Sequence, residues 1–220
     1  MDKKKRNGLI LDNIYQKIKE MLYSNQLVPG QKIIYGDIAR KMNTSITPVV
    51  QTLKRLEASG TVKYIPNKGY FVGEVSGAEI KELYEAREAL ELYVLPNILE
   101  NTTPSLIESL RNNFRKHDIS DPRILGIQDA QFHLEIIKFA GNNTIYNLLR
   151  EIYEQIYLRY KPQYVGPQRP KEALKEHKAI LNAIAKQDLK EARKVIKKHI
   201  RYQIEHMAQF FEKSKFKHRI

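Results

Sequence analysis

The sequence predicts a mostly α chain in two parts, an N-terminal winged helix-turn-helix and a C-terminal all-α antiparallel helical bundle. Three observations predict it. Helical periodicities, turn residues and one β-rich hairpin follow one another within the first 75 residues. From Ser76 onward only helical signals remain. The charge is unevenly spread. Of a formal net charge of +13, residues 1–75 carry 13 basic and 6 acidic side chains, an excess that suggests a polyanionic partner for this part.

In the first part, Leu11, Ile14, Tyr15, Ile18 and Leu22 recur at helical spacing, so residues 9–24 read as an amphipathic helix. Pro29-Gly30 is a turn. Residues 34–42 form a short helical stretch, which Asn43-Thr44-Ser45 breaks. Pro48 falls in the opening turn of the next helix, where its missing N–H costs little; Val49, Leu53 and Leu56 form the inward stripe and Ser59-Gly60 ends it. Residues 61–65 and 70–72 are rich in β-formers and are joined through Pro66-Asn67-Lys68-Gly69, a hairpin.

The second part reads as six helices. Ser76 and Glu79 have capping-box spacing ahead of Ile80, Leu83, Tyr84, Leu90 and Val94. Thr103-Pro104 opens the second helix; Asp121-Pro122 opens the third, which Gly141 closes. Tyr146, Leu149, Tyr153, Ile156 and Tyr160 mark the fourth, and residues 161–170 form a loop. Pro170 starts the fifth and Asp188-Leu-Lys-Glu191 caps the sixth, which runs to about residue 214. The domains are thus 1–75 and 76–220, with a short linker near residues 74–77.

Several function classes are excluded. Cysteine is absent, which removes disulfides, thiolate zinc fingers, iron–sulfur clusters and cysteine nucleophiles, and fits a reducing cytoplasm. No apolar run approaches the roughly 18–20 residues of a membrane span. The apolar stretch after the basic N-terminus, Leu9-Ile10-Leu11, is too short for a secretion signal.

Helix, short helix, turn, helix and two-stranded wing is an order suited to double-stranded DNA. A helix fits the major groove and the wing reaches phosphates. With Val49, Leu53 and Leu56 inward, the outward set is Thr44, Ser45, Thr47, Gln51, Lys54 and Arg55, and Lys68 stands at the wing tip. The Lys3–Arg6 run reads as a solvated disordered tail, with a flexible arm along the duplex as the alternative.

The stretches Val28-Pro-Gly30, Asp37-Ile-Ala39, Ser45-Ile-Thr-Pro-Val49, Leu53-Lys-Arg-Leu-Glu57, Gly60 and Asn67-Lys-Gly69 resemble the DNA-binding domain of the GntR superfamily of bacterial transcription regulators. The helical remainder resembles the FCD ligand domain of its FadR-type subgroup. The family pattern runs Ser-Arg-Thr-Pro-Val-Arg at the recognition helix; Ile46 and Val50 stand at those two arginines and Gly36 at a third. Arginine is the best bidentate reader of guanine, so these departures imply an altered operator, weaker binding, or both.

Three histidines of the second part fall on apolar stripes. His133 has Asp129 one turn before it and Ile137 one turn after; His177 shares a face with Leu174, Ile180, Leu181 and Ile184; His199 shares one with Ala192, Val195 and Ile196. A single such histidine is ordinarily a core residue bonded to a carbonyl. Three of them, on three helices of one bundle, are costly to bury without a common partner, and a metal ion is one. His177 and His199 lie at similar distances on either side of the turn near residues 186–188, hence at similar heights on antiparallel helices. The resemblance adds that metal-binding FCD members hold a divalent ion with an Asp-x-x-x-His pair and two later histidines, which Asp129, His133, His177 and His199 match. That donor set suits zinc or nickel. Arg87 matches an arginine that the family places near this cavity, and Arg159 is a second candidate; with the metal they suit a small organic acid. His206 falls two turns beyond His199, too far to be a ligand, and His117 and His218 read as surface residues.

The expectation is therefore a ligand-responsive transcription regulator and not an enzyme, a repressor and a homodimer on a palindromic operator. The alternatives are a metal-dependent enzyme acting on a small carboxylate or lactone, or a direct metal sensor. Against the enzyme stands the absence of a His-Glu-x-x-His, phosphate-loop or serine-elbow motif.

Overall fold

The computed structural model describes residues 3–24, 26–74, 76–115, 122–159 and 168–217; the side chains of residues 3–7, 122–124, 158–159 and 208–217 lie outside the description. The chain divides into two compact units, Met1–Val75 and Ser76–Ile220.

The first unit contains α1 (Lys3–Tyr23), α2 (Tyr35–Lys41), α3 (Ile46–Ala58), β1 (Val62–Ile65) and β2 (Gly69–Val72). Its core is Ile14, Ile18 and Leu22 of α1, Ile38 of α2, Val49, Leu53 and Leu56 of α3, and Val62, Tyr70 and Val72 of the hairpin. Fully burying each such aliphatic side chain contributes about 1.5–3 kcal/mol, so the three-residue stripe of α3 is what fixes its outward face. The strands pair antiparallel from Val62↔Val72 to Ile65↔Gly69. The turn between them needs left-handed backbone, at φ 62° for Asn67 and φ 94° for Gly69.

Two features depart from the sequence reading. The helix of residues 9–24 begins six residues earlier, so the Lys3–Arg6 backbone is helical and not a disordered tail. Lysine and arginine are good helix formers, and no proline interrupts the run. The wing also has a third pairing segment: Ile33 N–H donates to the Tyr70 carbonyl and Val72 N–H to the Gln31 carbonyl, both at 2.8 Å, with a bridge at Lys32↔Phe71. Four residues after a Pro-Gly turn are too few to show alternation.

The second unit contains α4 (Gly77–Asn101), α5 (Pro104–Phe114), α6 (Pro122–Ile137), a 3-10 turn (Lys138–Ala140), α7 (Asn143–Arg159), α8 (Arg169–Ala185) and α9 (Leu189–Lys217). Its start signals are visible as bonds. Ser76 Oγ accepts the Glu79 N–H at 3.1 Å while Glu79 accepts the Ser76 N–H at 2.8 Å. Thr103 caps α5, and Asp188 accepts the Glu191 N–H at 2.9 Å. Gly141, at φ 68°, ends the 3-10 turn. Helix α4 continues through Pro96 and packs against α6, α7, α8 and α9. Among the described residues no helix is long and apolar enough to cross a membrane. Asp121 and the 160–167 segment, including Tyr160, lie outside the described residues.

Candidate functional site

The first candidate surface is the outward face of α3 with the hairpin tip. Ser45, Thr47, Gln51, Lys54, Arg55 and Lys68 are exposed and Thr44 is half-buried. Arg55 is engaged within its own unit: Nη1 lies 3.1 Å from Asp12 Oδ1 and the guanidinium stands over the Tyr15 ring at 4.3 Å. Ile46, at the first position of α3, is 48% exposed, an apolar side chain presented at the exposed start of this helix. A Cβ added at Gly36 would meet nothing within 4 Å, so packing does not forbid a larger residue there.

The second candidate is interior. Asp129 and His133 come from one face of α6, His177 from α8 and His199 from α9, and one ligand atom of each lies within 4.8 Å of every other. His133 Nε2 is 3.2 Å from His199 Nε2, and Asp129 Oδ1 is 3.1 Å from His177 Nε2 and 3.5 Å from His199 Nε2. The three histidines are at most 4% exposed. Phe132 stacks on His177, with ring centroids 4.1 Å apart, and fixes its plane.

The outer nitrogens are held as well. His133 donates Nδ1–H to Glu91 Oε2 at 3.1 Å and His199 donates Nδ1–H to Glu176 Oε2 at 2.7 Å. Facing a carboxylate, each Nδ1 carries the proton, which leaves Nε2 to the centre. Glu91 also accepts from Arg87 Nε at 2.6 Å and from the Tyr153 hydroxyl at 2.5 Å. Arg87 Nη1 lies 3.5 Å from Asp129 Oδ2, and Tyr157 donates to the same oxygen at 3.5 Å. Glu176 also accepts from Arg169 Nη2 at 2.8 Å.

These contacts set the protonation states. Burial would raise the Asp129 carboxyl, but hydrogen bonds from His177 and His199 and the nearby Arg87 hold it well below its ordinary range. In Glu91 burial is outweighed by Arg87 and His133, and in Glu176 by His199 and Arg169, which bring it down to about 2. Burial lowers His133, and brings His177 down to about 3 despite its bond to Asp129. His199 goes the other way: Asp129 and Glu176 outweigh its burial and raise it.

The four residues expected from sequence as metal ligands therefore meet at one interior point, and Arg87 stands beside them. The side chain of Arg159 lies outside the described residues, as do His117 and His218. His206 is half-buried, stacked on Tyr202 and not in the cluster. Sequence reading missed Glu91 and Arg169, took Tyr153 with the other tyrosines of its helix as core packing before cavity lining, and gave Glu176 no role of its own. Glu91 had a signal: Ile80, Tyr84, Arg87, Glu91, Val94 and Ile98 all lie on one buried stripe of α4. Two charged residues inside such a stripe mark a buried polar centre.

A winged helix-turn-helix followed by an all-helical unit with a polar interior centre defines a class, the ligand-domain transcription regulators. Comparison with known proteins makes it specific. The FCD domain matches residues 82–202, and the bacterial regulatory proteins of the gntR family match residues 11–72. The chain is 21% identical to the HTH-type transcriptional regulator YdhC of Bacillus subtilis (strain 168), over 91% of this chain and 92% of that protein. It is 23% identical to the HTH-type transcriptional repressor RspR of Escherichia coli (strain K12), over 85% and 84%. Among solved structures, Escherichia coli McbR/YncC superposes with a TM-score of 0.74 at 21% identity, covering 92% of this chain and 98% of that one, a likeness of fold. The chain belongs to the GntR family of bacterial regulators, in its FCD-domain group. It is a transcription regulator, and the enzyme alternative is set aside because these matches are regulators.

Proposed function

We propose that this regulator is a ligand-responsive repressor, a cytoplasmic homodimer on a palindromic operator. In this reading Asp129, His133, His177 and His199 hold a divalent ion, zinc or nickel, and the ion together with Arg87 receives the carboxylate of a small organic acid. Thr44, Ser45, Thr47, Gln51, Lys54, Arg55 and Lys68 contact DNA.

The observation that carries the metal reading is the convergence of three Nε2 atoms and one carboxylate oxygen, with carboxylates on two of the outer nitrogens. Ligands about 2.0–2.2 Å from an ion stand about 3.0–3.5 Å from their neighbours, and the 3.1–3.5 Å separations around Asp129 and His199 fit that gap. One carboxylate and three neutral imidazoles leave a divalent ion with one uncompensated positive charge, which favours an acid as further ligand. Arg87 Nη2 is buried without a hydrogen-bond partner among the described residues, a donor that an incoming carboxylate satisfies. An acid acts as effector only through unequal affinity for the DNA-competent and DNA-incompetent states.

The test is elemental analysis of the purified chain, then anisotropy with DNA from upstream of its own gene. About one zinc or nickel per chain, lost in His133→Ala, supports the metal centre; a metal-free wild-type protein refutes it. Release of the DNA by metal alone makes the ion the signal, whereas release only by metal with an acid supports the receptor. Only non-specific DNA binding refutes the operator reading.

A further inference from the structure

Arg169 opens α8, is 4% exposed, and uses only Nη2, on Glu176. Its Nε and Nη1 are buried and have no hydrogen-bond partner among the described residues. Its guanidinium lies over the Tyr202 ring at 4.5 Å. Glu176 is the acceptor that His199 also uses, so Arg169 joins the histidine centre through a single carboxylate. Arg87 reaches the same centre from α4 through Asp129 and likewise keeps an unpartnered nitrogen, Nη2. Burial raises the Tyr84 hydroxyl on α4, and the positive charges of Arg87 and Arg169 oppose that rise.

An orphaned buried donor costs about 1–3 kcal/mol, and two on one guanidinium match the paired acceptor oxygens of an oxyanion. Nothing in the binding of a single carboxylate at the ion and Arg87 uses them. Resting on the reading of the histidine centre as an acid receptor, we propose that Arg169 is a second anion-recognition residue, and that the effector is an acid with two anionic groups. One group sits at the ion and Arg87. The other, a carboxylate or a phosphate ester, sits on the Nε and Nη1 of Arg169. Guanidinium suits both oxyanions. Arg169 thereby discriminates diacids from monoacids of equal length.

The experiment is calorimetric titration of the zinc-loaded full chain with acids paired by carbon number: butyrate with succinate, valerate with glutarate, hexanoate with adipate. Glycerate paired with 3-phosphoglycerate distinguishes a phosphate from a second carboxylate. At least one diacid or phospho-acid is expected to bind ten-fold or more tightly than its partner. Arg169→Gln should bring that ratio close to one, whereas Arg87→Gln weakens both members of the pair and leaves a ratio. Arg169→Lys keeps a charge and should retain part of the ratio; it serves as the second variant if Arg169→Gln does not fold. Equal binding of paired acids by the wild type, or a ratio preserved in Arg169→Gln, overturns the role of Arg169 and leaves the receptor reading intact. Zinc-loaded protein that binds none of the acids overturns the receptor reading and this inference with it.

Discussion

Replacing Glu91 by Gln is the sharpest test of how the centre is held. The carboxylate accepts three bonds, from Arg87 Nε at 2.6 Å and Tyr153 at 2.5 Å on one oxygen and from His133 Nδ1 at 3.1 Å on the other. An amide has only one acceptor oxygen. If that oxygen stays with Arg87 and Tyr153, the NH2 group faces His133, whose Nδ1 must then accept. The ring proton moves to Nε2, and His133 no longer offers a lone pair to the centre. If the amide turns over, its NH2 meets two donors. Losing such an outer partner typically costs 10–100-fold in metal affinity. Removing one partner of a buried pair costs about 3–5 kcal/mol; because Asp129 still lies 3.5 Å from Arg87, the lower end is expected. Zinc competition with a chelator dye measures the first effect, and urea unfolding of chelator-treated protein the second. Wild-type zinc affinity in Glu91→Gln, within two-fold, would refute the tautomer argument.

Three further outcomes follow from the same contacts. Lys68→Ala, at the exposed wing tip, should weaken operator binding uniformly and reduce the salt slope by about 1, measured by anisotropy across a salt series. Ile46→Arg restores a cation to the exposed start of α3; non-specific affinity should rise and the salt slope steepen by about 0.9 for one added phosphate contact, with an unchanged slope counting against this placement. For pH, His199 is raised by Asp129 and Glu176, so at pH 6 its proton competes with the ion. Zinc affinity should therefore fall as pH drops, with proton release visible as buffer-dependent binding heat. In chelator-treated protein His177, lowered to about 3, is shifted in the opposite direction to His199. It contributes stability above its unfolded value of 6.5 that is lost as pH falls towards 3.

The fold was legible because its elements carry strong local signals. The capping box at Ser76, the Thr103-Pro104 start and the Asp188 cap are all formed as bonds. The convergence of Asp129, His133, His177 and His199 was legible for a different reason. Asp129 and His133 share a face at i, i+4, and His177 and His199 sit on otherwise apolar stripes where an imidazole is conspicuous. Glu91 was hidden by the opposite circumstance, since helix α4 is rich in glutamates and a buried one differs from its neighbours only in position. Arg169 follows a proline- and glycine-containing stretch, so no periodic pattern surrounds it to reveal burial. Sequence spacing finds residues that converge through their own helices more readily than those recruited through a bond to another side chain, for which a charged residue inside an apolar stripe is the available signal.

That recruitment bears on how a small ligand acts at a distance. The Asp129–His133–His177–His199 cluster is drawn from α6, α8 and α9, and the bonds that hold it bring in α4 through Arg87 and Glu91 and α7 through Tyr153 and Tyr157. Five helices thus share one polar network, its histidines buried and its Asp129 and Glu176 carboxylates half-buried. Close-packed interiors respond to a displaced group by shifting whole elements. Of the five, α4 is the element that directly follows the DNA-reading unit in the chain, and its first turn is fixed by the Ser76–Glu79 box. An acid that draws Arg87 away from Asp129 therefore acts on the helix covalently continuous with the reading head. Ser76→Ala tests whether the box transmits this: it should cost about 1 kcal/mol of stability and leave zinc binding intact, while reducing the effect of bound acid on operator affinity. Unchanged coupling in that variant would place transmission elsewhere than the α4 start.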